Sequence, residues 1–316
     1  MPDVSPEDDG TTVAATAGFG AERRTVISSP DAVITVHEPT NATGIQGRVI
    51  IVPGWSGPRS GPADILVFLA SELAKNGWRV LRIDLPGRGD TSADRAGVGL
   101  DEMIAAAIHA ASLPPNSSGG AGATAFLGMC SGGNVSLGAV SCPGIAPQLA
   151  DAAVIALSTL PFQPARSKDF ERRRMWKNIK QYAGKAASPQ TWARLLKGEI
   201  NLNRVKKNVT ASEKPAGGER NLKDSARDIE TELLQWKGRG LLIWGSGDEE
   251  AALARAHFEK LHTAGMAAPG ATRFHTIAGA NHNYYSRAWR QELSREIVNF
   301  LNRVFTAESA EGAENG

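Results

Sequence analysis

A cysteine with a glycine two residues before it and another two residues after it, in the run GMCSGG from Gly128 to Gly133, has the spacing of a nucleophile on a sharp turn. A strand-to-helix turn that presents a reactive side chain needs the smallest residues at those flanking positions, because bulk would block the chain's close approach to itself. Gly128 and Gly132 stand there around Cys130. With Ser131 as the nucleophile, the residue two before would be Met129, whose side chain crowds the turn, although Gly133 would suit. The spacing therefore favours Cys130. The apolar run TAFLGM before it and SGGNVSLGAV after it place the thiol at a helix amino terminus, where backbone N–H groups and the dipole favour a thiolate. Such a thiolate attacks acyl carbonyls.

A thiol nucleophile calls for a base, and the base for an acid that orients it. Asp248 follows the apolar run GLLIWGS at 240–246, which puts a carboxylate at the carboxyl end of a strand, where α/β folds assemble their sites. Glu249 and Glu250 are rivals for that role, and Asp248 also suits the cap of the helical run that follows. His282, in AGANHNYY, lies in a loop within reach of both groups, although Asn281 and Asn283 make the same stretch a turn. The other histidines, His37, His109, His257, His262 and His275, are scattered, and there is neither a cluster of metal ligands nor a glycine-rich phosphate loop. No metal and no organic cofactor is expected. Cys142, about three helical turns beyond Cys130, is expected to be structural.

The elements that must position these groups are short runs rich in Val, Ile and Leu: residues 48–53, 78–86, 124–129, 152–158 and 240–246, alternating with segments of helical spacing. That alternation predicts an α/β fold with a mostly parallel sheet covered by helices on both faces. AVITVHEP at 32–39, after RRTVISS, reads as part of an opening hairpin. ATRFHTIAG at 271–279 reads as the last strand, before a closing helix over 286–305. The core is expected at 23–159 and 238–306. Residues 160–237 break the rhythm and read as an inserted helical cap. Its ERRRMWKNIK cluster is better taken as a solvated helix face with a stripe of Met175, Trp176 and Ile179 than as an anion-binding patch. Residues 1–22 and 307–316, polar and without apolar periodicity, are expected to be disordered tails.

Composition narrows the partner. The chain of 316 residues has 35 basic and 33 acidic side chains, a net charge of +2, which favours neither nucleic acid nor a membrane surface. A small-molecule substrate is expected. Two cysteines and no basic segment leading into an apolar one point to the cytoplasm and to no membrane span. The Asn-x-Ser/Thr triplets at Asn41, Asn116, Asn134 and Asn208 are then chance matches.

Over residues 23–306 the chain resembles an α/β-hydrolase with a cap inserted between two core strands. The cysteine elbow, the VPGWSG run at 52–57 and the DLPGRGDT run at 84–91 carry the likeness, and nucleophile, acid and histidine follow in the order that fold uses. The resemblance implies Cys130, Asp248 and His282 as nucleophile, acid and base, with the backbone N–H groups of Trp55 and Ser131 as the oxyanion hole. Pro53 replaces the histidine usual in that loop. DLPGRGDT is implied to shape the site wall, with Asp84 and Arg88 as loop scaffolding. Cysteine elbows of this kind resemble those of dienelactone hydrolases, polyhydroxyalkanoate synthases and the predicted hydrolases of bacterial exosortase systems. The last are the nearest, through WARLLKG at 192–198 and NHNYYSRAW at 281–289. The expected function is hydrolysis of carboxylic esters or thioesters of a small acyl substrate through an acyl-thioenzyme. Acyl transfer from the same cysteine, or a non-catalytic binding or scaffold role, are the alternatives.

Overall fold

The apolar runs form strands, and nearly every side chain on the central ones is buried, as a sheet covered on both faces requires. The computed structural model describes residues 12–19, 22–29, 32–39, 46–55, 57–91, 98–113, 123–162, 225–267 and 271–314. Among them lie the strands β1 (Thr12–Phe19), β2 (Glu22–Ser29), β3 (Ala32–His37), β4 (Gly47–Val52), β5 (Trp78–Asp84), β6 (Ala123–Met129), β7 (Ala153–Leu157), β8 (Gly240–Gly245) and β9 (Thr272–Ile277). They form one sheet in the spatial order β1-β2-β3-β5-β4-β6-β7-β8-β9. The pairings from β1 through to β5 are antiparallel, and those from β5 to β9 are parallel.

Among the described residues, six α-helices accompany the sheet: α1 (Ile65–Lys75), α2 (Leu100–Ser112), α3 (Ser131–Val140), α4 (Ile229–Gln235), α5 (Ala251–Thr263) and α6 (Arg287–Glu314). Ile65, Leu66, Leu69 and Leu73 of α1 join Leu293, Ile297, Phe300 and Leu301 of α6 in one core. They pack there with Val49, Ile51, Leu127, Ile155, Leu241 and Ile243 of the sheet. The intervening strand residues Ile50, Phe126, Val154 and Leu242 point to the opposite face, since strand side chains alternate, and they are fully buried too. Because the parallel strands run the same way, Val52, Met129, Leu157, Gly245 and Ile277 all finish at one edge of the sheet. The loops that carry the candidate residues leave from that edge.

Three expectations about the chain's organisation change. Residues 12–19, assigned to a tail, form β1 and pair with β2, an edge addition that backbone hydrogen bonding supplies without apolar side-chain periodicity. The carboxyl-terminal segment from 307 onward continues α6 to Glu314; its Ala- and Glu-rich sequence is a good helix former even where it has no apolar stripe. The chain divides into two compact units, Met1–Pro161 with Ser225–Gly316, and Phe162–Asp224. Apart from Phe162, the second unit lies outside the described residues, and with it the expected helical cap, its basic cluster and WARLLKG. Residues 225–237, assigned to the cap, fall in the first unit and carry α4. Arg227 donates from Nη1 to the Gly138 carbonyl at 3.0 Å and pairs with Glu232, which fastens this segment to α3. Among the described residues, no helix is long and apolar enough to cross a membrane.

The loop after β4 is fastened to the loop after β5 by a buried carboxylate. Asp84, at the end of β5, accepts the Arg59 backbone N–H at 2.6 Å and the Asp90 N–H at 3.1 Å, and it pairs with the Arg59 guanidinium. Arg59 Nε in turn donates to Thr35 Oγ1 at 2.8 Å. Removing Asp84 strands two backbone donors and leaves the Arg59 guanidinium to the exposed Asp90. Asp84→Ala should therefore lower the unfolding free energy by about 3 kcal/mol, read as a lower urea midpoint at unchanged slope. A loss below about 1 kcal/mol would show the latch to be unimportant.

Candidate active site

β6 ends at Met129, and the chain turns into α3 through one strained residue. Cys130 has φ 56° and ψ −123°, a conformation that a residue with a Cβ rarely adopts and that costs about 1–3 kcal/mol. Its N–H donates to the Leu157 carbonyl at 2.7 Å, and its carbonyl accepts from Gly133 N–H at 3.0 Å and from Thr159 Oγ1 at 3.2 Å. The flanking glycines are required by distance: a methyl on Gly128 would lie 2.0 Å from the Gly132 carbonyl oxygen. A methyl on Gly132 would lie 2.4 Å from the carbonyl oxygens of both Val52 and Pro53. The spacing argument from the sequence thus has a geometric cause, and the turn that needs it is centred on Cys130.

Asp248 and His282 arrive on two loops stitched to each other. After β8, Gly247 N–H donates to the Ala280 carbonyl at 2.8 Å and Ser246 N–H to the Ile277 carbonyl at 3.0 Å, while Gly279 N–H donates to Ser246 Oγ at 2.8 Å. This cross-bonding holds Asp248 Oδ2 2.6 Å from His282 Nδ1. The Asp248 side chain is only 8% exposed and that of His282 32%. Asp248 Oδ1 also accepts the Glu250 N–H at 3.2 Å, so one carboxylate both shapes the turn before α5 and orients the histidine. Of the three acidic candidates, Asp248 is the one that meets His282.

The imidazole also interacts with the Cys130 thiol, and each group moves the other's ionisation. The Asp248 hydrogen bond above all, and the thiol behind it, push the His282 pKa up to about 10 against the effect of burial. For Cys130, burial pushes the thiol pKa up, but the hydrogen bond and charge of His282, with donors from Ser131, outweigh it and leave the pKa below its usual value of 9.0. Both directions favour the thiolate–imidazolium form over the neutral pair, relative to the isolated groups. The pair sits at the start of α3, where the helix dipole favours the anion.

Trp55 and Ser131 also come together. The Trp55 backbone N–H donates to Ser131 Oγ at 2.5 Å. Arg88 fixes that loop from beneath: its Nε donates to the Trp55 carbonyl at 2.7 Å, and its guanidinium lies 5.2 Å from the centroid of the Trp55 ring. Scaffolding, the role expected of Arg88 and Asp84, is what these contacts provide.

The remaining histidines are engaged elsewhere. His37 accepts from Arg82 Nε at 2.8 Å, His257 meets Glu230 at 2.8 Å, His262 meets the Met266 carbonyl at 2.8 Å, and His275 lies 3.5 Å from Glu292. His109 is exposed on α2. Cys142 closes the turn after α3, and Asn134 uses its side chain to donate to the Leu160 carbonyl at 2.9 Å.

Two supporting residues escaped the sequence reading. Tyr284, two positions after His282, has φ 50° and a fully buried ring. Its hydroxyl donates to the Ile243 carbonyl at 3.1 Å and accepts from Ser158 Oγ at 3.0 Å, which pins the histidine loop to the ends of β7 and β8. Thr159, which supports the elbow carbonyl, is the other. A serine and threonine directly after a buried strand were the available signal; nothing in the sequence pairs Ser158 with a residue so distant.

A buried, hydrogen-bonded acid, a histidine and a strained-turn thiol, set at the carboxyl edge of a mostly parallel sheet, define the class of α/β-hydrolase folds. The chain belongs to the alpha/beta hydrolase family, whose model matches residues 49–295. Solved structures agree on the fold. A dienelactone hydrolase from Anabaena variabilis superposes with a TM-score of 0.53 at 13% identity, covering 94% of this chain and 99% of that one. Est1E from Butyrivibrio proteoclasticus, solved with ferulic acid bound, gives 0.53 at 15% identity, covering 89% and 96%. An esterase from Pyrococcus furiosus gives 0.53 at 15% identity, covering 96% of each chain. At these identities the likeness is one of fold. No curated protein matches the sequence.

If His282 sets the ionisation of the thiol, replacing it leaves burial less opposed. His282→Ala should shift the midpoint of Cys130 alkylation by iodoacetamide upward by about one to two pH units, followed peptide by peptide with mass spectrometry. An unshifted midpoint would mean that the imidazole does not govern this thiol.

Proposed function

We propose that this α/β-hydrolase cleaves carboxylic ester or thioester bonds through Cys130, His282 and Asp248, by way of an acyl-thioenzyme. The observation that carries the reading is the buried Asp248 carboxylate held 2.6 Å from His282 Nδ1, with the same imidazole acting on the thiol of Cys130 at the strained turn. Esterase and hydrolase folds among the structural neighbours support ester hydrolysis in general terms. The cysteine and the thioester are the more specific part of the proposal, and they rest on the elbow.

In the proposed reaction the Cys130 thiolate adds to the acyl carbonyl carbon, and the electron pair of the C=O bond moves onto oxygen. The backbone N–H groups of Trp55 and Ser131 receive that oxyanion; one such donor is worth about 3 kcal/mol of transition-state stabilisation. The pair returns, the bond to the leaving group breaks, and His282 gives its proton to the departing alkoxide or thiolate. Neutral His282 then takes a proton from water as it attacks the thioester, Asp248 keeps the ring in its tautomer, and the acid leaves with the thiolate restored. No step draws on a metal or cofactor. The substrate is a small acyl compound, and neither nucleic acid nor a membrane surface enters. A likeness to exosortase-associated hydrolases belongs to the same proposal and rests on the elbow, NHNYYSRAW and WARLLKG.

Turnover of a panel of acyl esters and acyl-thioesters, with and without alcohol acceptors, tests the reading. Free acid formed without an acceptor is expected. Product that forms only with an acceptor would make the protein an acyltransferase, and no turnover by a protein that still binds ligand would make it a binding module. Cys130→Ala should cost about 10⁴-fold in kcat and abolish the acyl adduct seen by mass spectrometry.

The pH dependence follows from the two ionisations. The acylation step needs thiolate and imidazolium together, so kcat/KM should rise as the thiol ionises, below 9.0, and fall as His282 deprotonates near 10. Asp248→Asn removes the largest cause of the raised histidine pKa and should move the falling limb to lower pH. A falling limb unmoved by that substitution would assign it to another group.

A further inference from the structure

The proposed oxyanion hole is occupied by the protein's own side chain. Trp55 N–H, one of its two proposed donors, already donates to Ser131 Oγ, at 2.5 Å. The same side chain is among the groups that lower the Cys130 pKa, so the hydroxyl that accepts from the hole also acts on the thiol. Gly54 faces both groups: a methyl there would meet Cys130 Cβ at 3.6 Å and Ser131 Oγ at 3.9 Å, ordinary contact distances. Neither the elbow spacing nor the family's order of residues gives the Ser131 side chain a role.

We propose that the Ser131 hydroxyl is a movable donor: in the free protein it fills the place of the oxyanion against Trp55 N–H, and it yields that place when an acyl carbonyl enters. The inference rests on the reading of Cys130 as nucleophile. In the resting site the negative charge is on sulfur, and the hydroxyl serves it. When the S–C bond forms, the C=O π pair moves to oxygen and the charge leaves sulfur. The hydroxyl then has no anion to donate to at its resting position, and Trp55 N–H is free for the new oxyanion. Rotation about the Ser131 side-chain bond accomplishes the exchange without moving the backbone N–H of Ser131, which stays with the helix. The serine thus acts on the reacting sulfur in the ground state and leaves the hole when charge arrives there.

The test reads the thiol without any substrate. In Ser131→Ala, the alkylation midpoint of Cys130, resolved from Cys142 by peptide mass spectrometry, should rise by about one pH unit. On the limb below the parent's midpoint the rate should be about tenfold lower. An unchanged midpoint in a variant that keeps the parent's thermal midpoint would overturn the proposal. Should that variant fold poorly, the parent decides. The Trp55 amide resonance, assigned by selective labelling, should move when a trifluoromethyl ketone forms its tetrahedral adduct at Cys130, and a fixed resonance in a formed adduct would overturn the exchange. If no adduct forms at Cys130, the nucleophile reading fails instead, while the alkylation profile still reports on the serine.

Discussion

Everything at this site depends on one close approach of backbone to backbone. The elbow residue Cys130 is held at positive φ, Gly128 lies against Gly132, and Gly132 lies against the carbonyls of Val52 and Pro53. The strain of about 1–3 kcal/mol is tolerated because β7 and the ends of β4 and β6 that meet the elbow are buried, which leaves the elbow no room to relax. The same contact that exposes the thiol brings the Trp55 loop beside the first turn of α3. The proposed nucleophile and oxyanion donors are therefore not two features assembled separately. A side chain at Gly132 would separate both.

Electrostatics builds on that geometry. Burial by itself would keep the Cys130 thiol protonated, and the site overcomes it with a histidine whose charge is secured by a nearly buried carboxylate. That histidine needs its own positioning, because its loop has no regular structure. The cross-bonds from Gly247, Ser246 and Gly279 supply half of it. Tyr284 supplies the rest: burial holds its phenol well above the usual range, so the hydroxyl stays a donor to Ile243 and an acceptor from Ser158.

The parts legible in the sequence were those encoded locally. Strands buried on both faces read as continuous Val, Ile and Leu runs, and β4 to β9 fall within a residue or two of those runs. The elbow was legible because the steric demand acts within five residues, and the order of nucleophile, acid and histidine followed the strands. What was not legible depends on partners distant in the chain or on backbone alone. Thr12–Phe19 becomes a strand only because β2 offers an edge, and the partners of Asp84, Thr159 and Tyr284 lie too far along the chain for any local pattern to pair them. The choice of Asp248 over Glu249 and Glu250 needed the His282 distance, since all three share one turn.

Pro53 illustrates how a departure from a family's pattern is read from geometry. The residue lacks an N–H and a functional side chain, which invites the inference that this loop has lost its part in the site. The elbow, however, asks something else of position 53. It requires a carbonyl, which with that of Val52 sets the floor under Gly132, and it requires a chain direction that carries the next residues over α3. Proline provides the first and, with φ fixed near −65°, stiffens the second. The donor that meets Ser131 comes from Trp55, two residues on, and Arg88 holds it by the carbonyl and the ring. A histidine at 53 could add a side-chain contact, but the backbone donor does not depend on it, so the substitution leaves the proposed chemistry with the groups it needs.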